Sequence, residues 1–181
     1  LGDTVVVTAT DPATGLSADL TLNIGPVRLI TVSVRDKHTL VSKTDGTVWA
    51  WGDNRFGQLG GSTPDACGTD AEDLYPCATS AIRIDNLPII RAVSAGTQQS
   101  YGIDESGQVW AWGNDEYGQL GRGTFGNAVN PTPALVLTDG DVPFGNSPET
   151  AAVQVSSGFI HTLALTADGT VYAWGAGGQG R

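Results

Sequence analysis

The chain has 181 residues, 19 acidic and 9 basic, for a net charge of −10 with histidine neutral. That balance excludes a nucleic-acid surface, which needs clustered Lys and Arg, and a surface for anionic lipid. No apolar run approaches the roughly 18 residues of a spanning helix, so no membrane insertion is expected.

Residues 1–25 read differently from the rest. Thr4–Thr10 and Ala18–Ile24 alternate in the manner of strands, and Asp11-Pro12-Ala13-Thr14-Gly15 between them is a turn carried by its Pro and Gly. This hairpin resembles the last two strands of bacterial immunoglobulin-like surface domains. The other reading makes its second strand the outer strand of the unit that follows. Gly25-Pro26 punctuates the entry to that unit.

From there three strand runs recur in order. Leu29–Val34, His38–Ser42 and Val48–Gly52 make the first set. Ile90–Ser94, Gln99–Ile103 and Val109–Gly113 make the second, and Ala152–Ser156, His161–Leu165 and Val171–Gly175 the third. Thr44-Asp45-Gly46, Glu105-Ser106-Gly107 and Ala167-Asp168-Gly169 connect the second and third runs of each set. Gly there supplies a positive φ without steric cost, which is a hairpin signal. The third runs alternate aromatic with small residues, a period of two that means strand. Ala81–Ile84 and Ala134–Leu137 are candidate fourth, outer strands. Trp51, Trp112 and Trp174 mark a repeat of about 60 residues. Each is followed by Gly, at Gly52, Gly113 and Gly175. Four short antiparallel strands per repeat with a Trp-Gly signature is the plan of a β-propeller blade.

The copies Val48-Trp-Ala-Trp-Gly-Asp-Asn-Arg-Phe-Gly-Gln-Leu-Gly60 and Val109-Trp-Ala-Trp-Gly-Asn-Asp-Glu-Tyr-Gly-Gln-Leu-Gly121 resemble the regulator of chromosome condensation repeat. The match covers about 29–60, 90–123 and 152–181. The resemblance implies an all-β partial propeller, three four-stranded blades of seven, occupying 26–181. Arg35 stands where the other units have Gly96 and Gly158, and Gln99 stands where they have His38 and His161. Three blades do not close a ring and leave open edges. The chain is therefore expected to be an internal piece of a longer protein. The remaining blades would come from that protein or from other chains.

Two insertions interrupt the repeats, 61–80 and 122–150. The first holds the only two cysteines, Cys67 and Cys77, among Asp65, Asp70, Glu72 and Asp73. Their spacing fits no common zinc pattern, and both histidines lie in blade strands elsewhere. A disulfide closing the loop is expected, which places the chain in an oxidising compartment; two free thiols in a cytosolic loop are the alternative. The second insertion is rich in Gly, Pro, Asn and Thr, with Asn130-Pro131-Thr132-Pro133, and reads as a long loop with a short strand in it. Pro131 disqualifies Asn130 as a glycosylation acceptor.

No catalytic, cofactor or metal site is visible. Gly175–Gly180 matches G-x-G-x-x-G, but its sister copies make it a blade turn rather than a nucleotide loop. His38 and His161 occupy one repeat position, whereas a triad needs different residues converging, so they read as structural hydrogen-bonding groups. Repeat-locked tryptophans read as blade core, and loop acids with no calcium-loop pattern as solvated charge. The expectation is a non-catalytic binding or scaffold module of a secreted or cell-surface protein of bacterial type. It would contact a protein or cell-surface polymer through blade loops. A structural spacer in an adhesin or filament is the alternative, and a propeller enzyme with its active site outside this stretch the second. Exposed aromatics on loop tips favour the binder over the spacer.

Overall fold

The computed structural model describes residues 3–10, 17–24, 30–138 and 141–176, the first two segments and Ala128 through their backbone alone. Among the described residues there is no helix, and so none long and apolar enough to cross a membrane. β1 (Asp3–Thr10) and β2 (Ser17–Ile24) pair antiparallel, Asp3 opposite Ile24 and Thr10 opposite Ser17, in a sheet of their own. No described strand joins β2 to the first blade. The turn expected at Asp11–Gly15 lies outside the described residues.

Blade one contains β3 (Thr31–Arg35), β4 (His38–Ser42) and β5 (Val48–Asp53). β6 (Asp65–Cys67) and β7 (Tyr75–Arg83) complete it, in the order β3-β4-β5-β7-β6. Blade two contains β8 (Ile90–Ala95), β9 (Gln99–Asp104), β10 (Val109–Asp115) and β11 (Asn127–Leu135), again side by side. A two-residue hairpin, β12 (Leu137–Thr138) with β13 (Val142–Pro143), follows. Blade three contains β14 (Ala152–Ser157), β15 (His161–Thr166) and β16 (Val171–Gly175). Among the described residues the three sheets carry five, four and three strands.

Two departures from the sequence expectation share a cause. The outer strands are longer than the apolar runs Ala81–Ile84 and Ala134–Leu137 that announce them. β7 starts inside the first insertion, and β11 swallows Asn130-Pro131-Thr132-Pro133. Proline lacks an N–H and is barred from a central strand, but β11 is the outer edge of its sheet and has a neighbour on one side only. Register shifts between Ala111 and Gly113 and between Gly113 and Asp115 let the prolines through without a ladder donor. In blade one, β6 folds back on β7 and caps that edge.

The core lies between blades, as expected for sheets stacked face to face. Leu40, Val48, Ala50, Leu59 and Ile84 of blade one bury against Ile90, Ala95 and Trp112 of blade two. Tyr101, Ile103, Val109, Leu120 and Val136 of blade two bury against Ala152, Val155 and Ala164 of blade three.

Candidate functional site

Each third strand ends at a glycine with a positive φ: 109° at Gly52, 108° at Gly113 and 100° at Gly175. A β-carbon on Gly113 would stand 2.5 Å from the carbonyl oxygen of Gln98 and 2.8 Å from the Cα of Gln99. Gly52 and Gly175 face the same obstruction, from Lys37 and His38 and from Ile160 and His161. The turn joining the first two strands of a blade therefore presses on the end of the third. That contact fixes where the following loop leaves the blade.

The tryptophans lock one blade to the next. The indole N–H of Trp112 donates to the carbonyl of Gln58 at 2.9 Å, and that of Trp174 to the carbonyl of Gln119 at 2.8 Å. Ser100 also donates to the Gln58 carbonyl at 2.8 Å, and the Tyr101 hydroxyl to that of Gln119 at 2.5 Å. The Gly-Gln-Leu-Gly loop of one blade is thus the acceptor for its successor. Trp112 is fully buried, whereas Trp51 and Trp174 are half-buried.

His38, Gln99 and His161 share a repeat position but not a role. In blades two and three a β-carbon at Gly96 or Gly158 would strike the Gln99 amide or the His161 ring, so these side chains fold onto their own turns. Gln99 donates to the carbonyls of Gly158 and Phe159 at 3.2 and 3.1 Å. Blade one has Arg35 there and turns instead through Asp36 at a φ of 52°. His38 reaches across to Ser100 Oγ, 2.9 Å from its Nε2. Ser100 spends its proton on Gln58, so it accepts from His38, which fixes the Nε2–H tautomer. Nδ1 is left buried without a partner. Burial lowers the His38 pKa to about 4, against the opposing pull of Asp53 and Asp36.

Cys67 and Cys77 form a disulfide across the β6–β7 pair, with Cα atoms 5.8 Å apart. The hairpin is tied down elsewhere too. Asp65 accepts from the N–H and hydroxyl of Thr79 at 2.8 and 2.7 Å, bonds that hold its carboxyl below the usual range. Arg55 pairs with Asp53 at 2.5 Å and lies over the Tyr75 ring at 4.4 Å. Only the tip, residues 68–74, is free of the sheet. All seven of those residues are exposed, Asp70, Glu72, Asp73 and Leu74 among them.

Sequence reasoning missed the neighbouring aromatics. Phe125 is 81% exposed and Tyr117 51% exposed. The two loops meet: a β-carbon on Gly118 would stand 3.7 Å from Phe125 Cβ. Phe159, in the β14–β15 turn, is exposed as well. The Asn114 N–H donates to Gln98 O and that of Ala176 to Ile160 O, so these loops and turns lie at one end of the blades. The tip of the β6–β7 hairpin follows β5 at that same end. An acidic finger and a set of bare rings therefore share one rim. The signal available in sequence was the pair of aromatics at equivalent loop positions, Phe56 and Tyr117. It does not say which of them is exposed.

Among the described residues no group of three or more His, Cys, Asp or Glu is placed to hold a metal. The G-x-G-x-x-G stretch runs into residues 177–181, outside those described.

The sequence matches the Regulator of chromosome condensation (RCC1) repeat at residues 45–103 and 106–165, and a second description of that repeat at 31–58, 90–119 and 152–181. It is similar to the human E3 ubiquitin-protein ligase HERC2, 33% identical over 76% of this chain and 2% of that protein. It is 28% identical to the Arabidopsis thaliana ultraviolet-B receptor UVR8, over 82% of this chain and 30% of the receptor. The chain thus spans less than a third of these relatives. Human WBSCR16 superposes with a TM-score of 0.63 at 23% identity, over 81% of this chain and 33% of that one. Saccharomyces cerevisiae Prp20p does so at 0.58 and 18%, with the same coverage. At such identities the likeness is one of fold.

Proposed function

The chain belongs to the regulator of chromosome condensation repeat family, and we propose that it is a non-catalytic binding module of a larger secreted or cell-surface protein. Its partner is a protein that carries basic groups beside an apolar recess. The observation that carries this reading is the rim where exposed Tyr117 and Phe125 stand at the end of the blades that also bears the acidic tip 68–74. Rigid aromatics give large contact area at small entropic cost, and a hairpin held by a disulfide and by Asp65 loses little freedom on binding. A spacer would have no use for bare rings at loop tips. Prp20p, described as binding Gsp1p and histones and solved with Kap60, supports a protein as the class of partner. The disulfide supports an oxidising compartment.

The test is a photo-crosslinking amino acid at position 125, introduced in intact cells that make the protein. A discrete adduct with one protein is expected, and it should fade when residues 69–73 are replaced by Gly and Ser. An absence of adducts, or an adduct indifferent to both Tyr117→Ala and the tip replacement, would refute the reading. Trapping of Cys67 or Cys77 as free thiols in the native protein would remove the compartment from it.

A further inference from the structure

The loop after β10 repeats the loop after β5 bond for bond, with one exception. In blade one the Leu59 N–H donates to Asn54 Oδ1 at 2.9 Å and the Phe56 N–H to Gln58 Oε1 at 2.9 Å. The Gly57 N–H donates to Asn54 O at 3.1 Å. In blade two the Leu120 N–H donates to Asp115 Oδ1 at 2.9 Å and the Tyr117 N–H to Gln119 Oε1 at 2.8 Å. The Gly118 N–H donates to Asp115 O at 3.3 Å. The exception is the bond that closes the loop. Asn54 makes it in blade one, donating from Nδ2 to the Gly61 carbonyl at 2.9 Å. The counterpart of Asn54 is Asp115 and that of Gly61 is Arg122. By that equivalence the second carboxyl oxygen of Asp115 faces a carbonyl oxygen. Two acceptors make no bond unless one of them holds a proton.

Asp115 is buried, at 2% exposure. Two titratable groups act on it from the elements around it. Arg122, on the loop itself, donates from Nη2 to the carbonyls of Ala111 and Thr132 and so bridges β10 and β11. Among the described residues no ion pair joins it to Asp115. Tyr101 of β9 donates its hydroxyl to the Gln119 carbonyl, and burial raises its pKa and keeps it neutral. Glu116, next in the chain, is exposed. Burial pushes the Asp115 carboxyl above the usual carboxylate range, against the opposing pull of the Leu120 N–H and the Arg122 charge. The loop thus favours the neutral acid, the form able to make the missing bond.

We propose that Asp115 is a proton-operated latch on the loop 115–126, and so regulates the rim of Tyr117 and Phe125, an inference that rests on the binding reading of that rim. Closed, the neutral acid donates its Oδ2–H to the Arg122 carbonyl, as Asn54 Nδ2 does to that of Gly61. To open, the O–H bond breaks, the proton passes to water and the electron pair stays on Oδ2. A buried carboxylate then faces a carbonyl, and both demand water. The Gly118 and Gly126 N–H groups both end on Asp115 O, so the segments carrying Tyr117 and Phe125 are pinned at this one residue. The sign follows from burial, which sets the folded pKa above the unfolded one. The latch is closed below the folded value and opens as pH rises through it, and the two rings then lose their fixed places. Partner capture at the rim is therefore stronger on the acid side.

The experiment follows hydrogen exchange of the whole 181-residue chain between about pH 4 and 8, corrected for the intrinsic pH dependence of amide exchange. Protection at 116–126 is expected to fall by about fivefold or more as pH rises, the loss of one buried hydrogen bond. Residues 55–61, closed by Asn54, are the control within the same chain and should stay level. Asp115→Asn gives the Arg122 carbonyl an amide donor and should keep 116–126 protected at every pH. Asn54→Asp should carry the pH dependence over to 55–61. The proposal is overturned by a level wild-type profile at 116–126, by the same fall in Asp115→Asn, or by equal falls in both loops. If 116–126 titrates as described but the adduct formed from position 125 does not strengthen toward acid pH, the latch stands and the binding reading of the rim falls.

Discussion

At the scale of single residues the repeat is a steric and hydrogen-bonding device. Gly113 has a φ of 108° and its missing β-carbon is replaced by the Gln98 carbonyl. Gly113→Val should therefore cost on the order of 2 kcal/mol or more, read as a fall in the denaturation midpoint, because both the dihedral and the contact are violated. Trp112 is fully buried and its indole holds Gln58 of the preceding blade. Trp112→Ala should cost about 3–5 kcal/mol. His38 gives a pH dependence. Its folded pKa of about 4 lies below the ordinary histidine value of 6.5, so between those values the unfolded chain binds more protons than the folded one. Stability contributed by neutral His38 is complete above the unfolded pKa and is lost as pH falls through this window, up to about 3 kcal/mol in all. His38→Gln keeps a donor for Ser100 and should flatten the midpoint against pH between 4 and 6.5. A wild-type profile already flat there would show the ring to be solvated. The positions of the Trp-Gly pairs were legible from the triple copy. The divergence of His38, Gln99 and His161 was not, although its cause, Arg35 in place of glycine, stood in the sequence.

At the scale of elements the inner strands and their hairpins could be read directly, because period-two apolar runs bounded by Asp-Gly and Ser-Gly leave few alternatives. The outer strands were legible only at their C-terminal ends, where Ala81–Ile84 and Ala134–Leu137 overlap β7 and β11. β11 contains two prolines and β7 begins in an acidic insertion, so neither has an apolar signature over its full length. What makes them strands is a neighbour already in place, a tertiary cause that overrides local propensity. The β6–β7 hairpin depends further on its staples. Cys67→Ser with Cys77→Ser should cost about 2–3 kcal/mol from loop closure alone. Because Asp65 and Arg55 hold the base of the hairpin by other bonds, the loss should localise. Hydrogen exchange is expected to rise at 65–77 and to stay unchanged in β8 and β9. Uniform acceleration across blade two would mean the hairpin supports the whole arc.

At the scale of the molecule the two ends of the arc are its least satisfied surfaces. Successive blades bury each other through apolar faces, Leu40 and Val48 against blade two and Ile103 and Val109 against blade three. Among the described residues the corresponding side chains at the two outer faces are exposed. On blade one Ile30, Val32 and Val34 are exposed, and on blade three Val153, Leu163 and Val171, the last at 61% although its counterparts Val48 and Val109 are buried. Such faces belong against further blades, as a repeat array requires of every unit that is not capped. The 181-residue chain taken alone should therefore bind a hydrophobic dye and sediment as a concentration-dependent mixture. Val32→Lys with Val34→Lys should lower both signals at a cost within about 0.5 kcal/mol each, since their side chains are already in water. Leu40→Lys, in the same sheet but facing blade two, should prevent folding, because it buries an unpaired charge in a packed interface. If the two valine substitutions destabilise as Leu40→Lys does, blade one's outer face is covered within the chain. The arc would then be a closed unit rather than a stack awaiting neighbours.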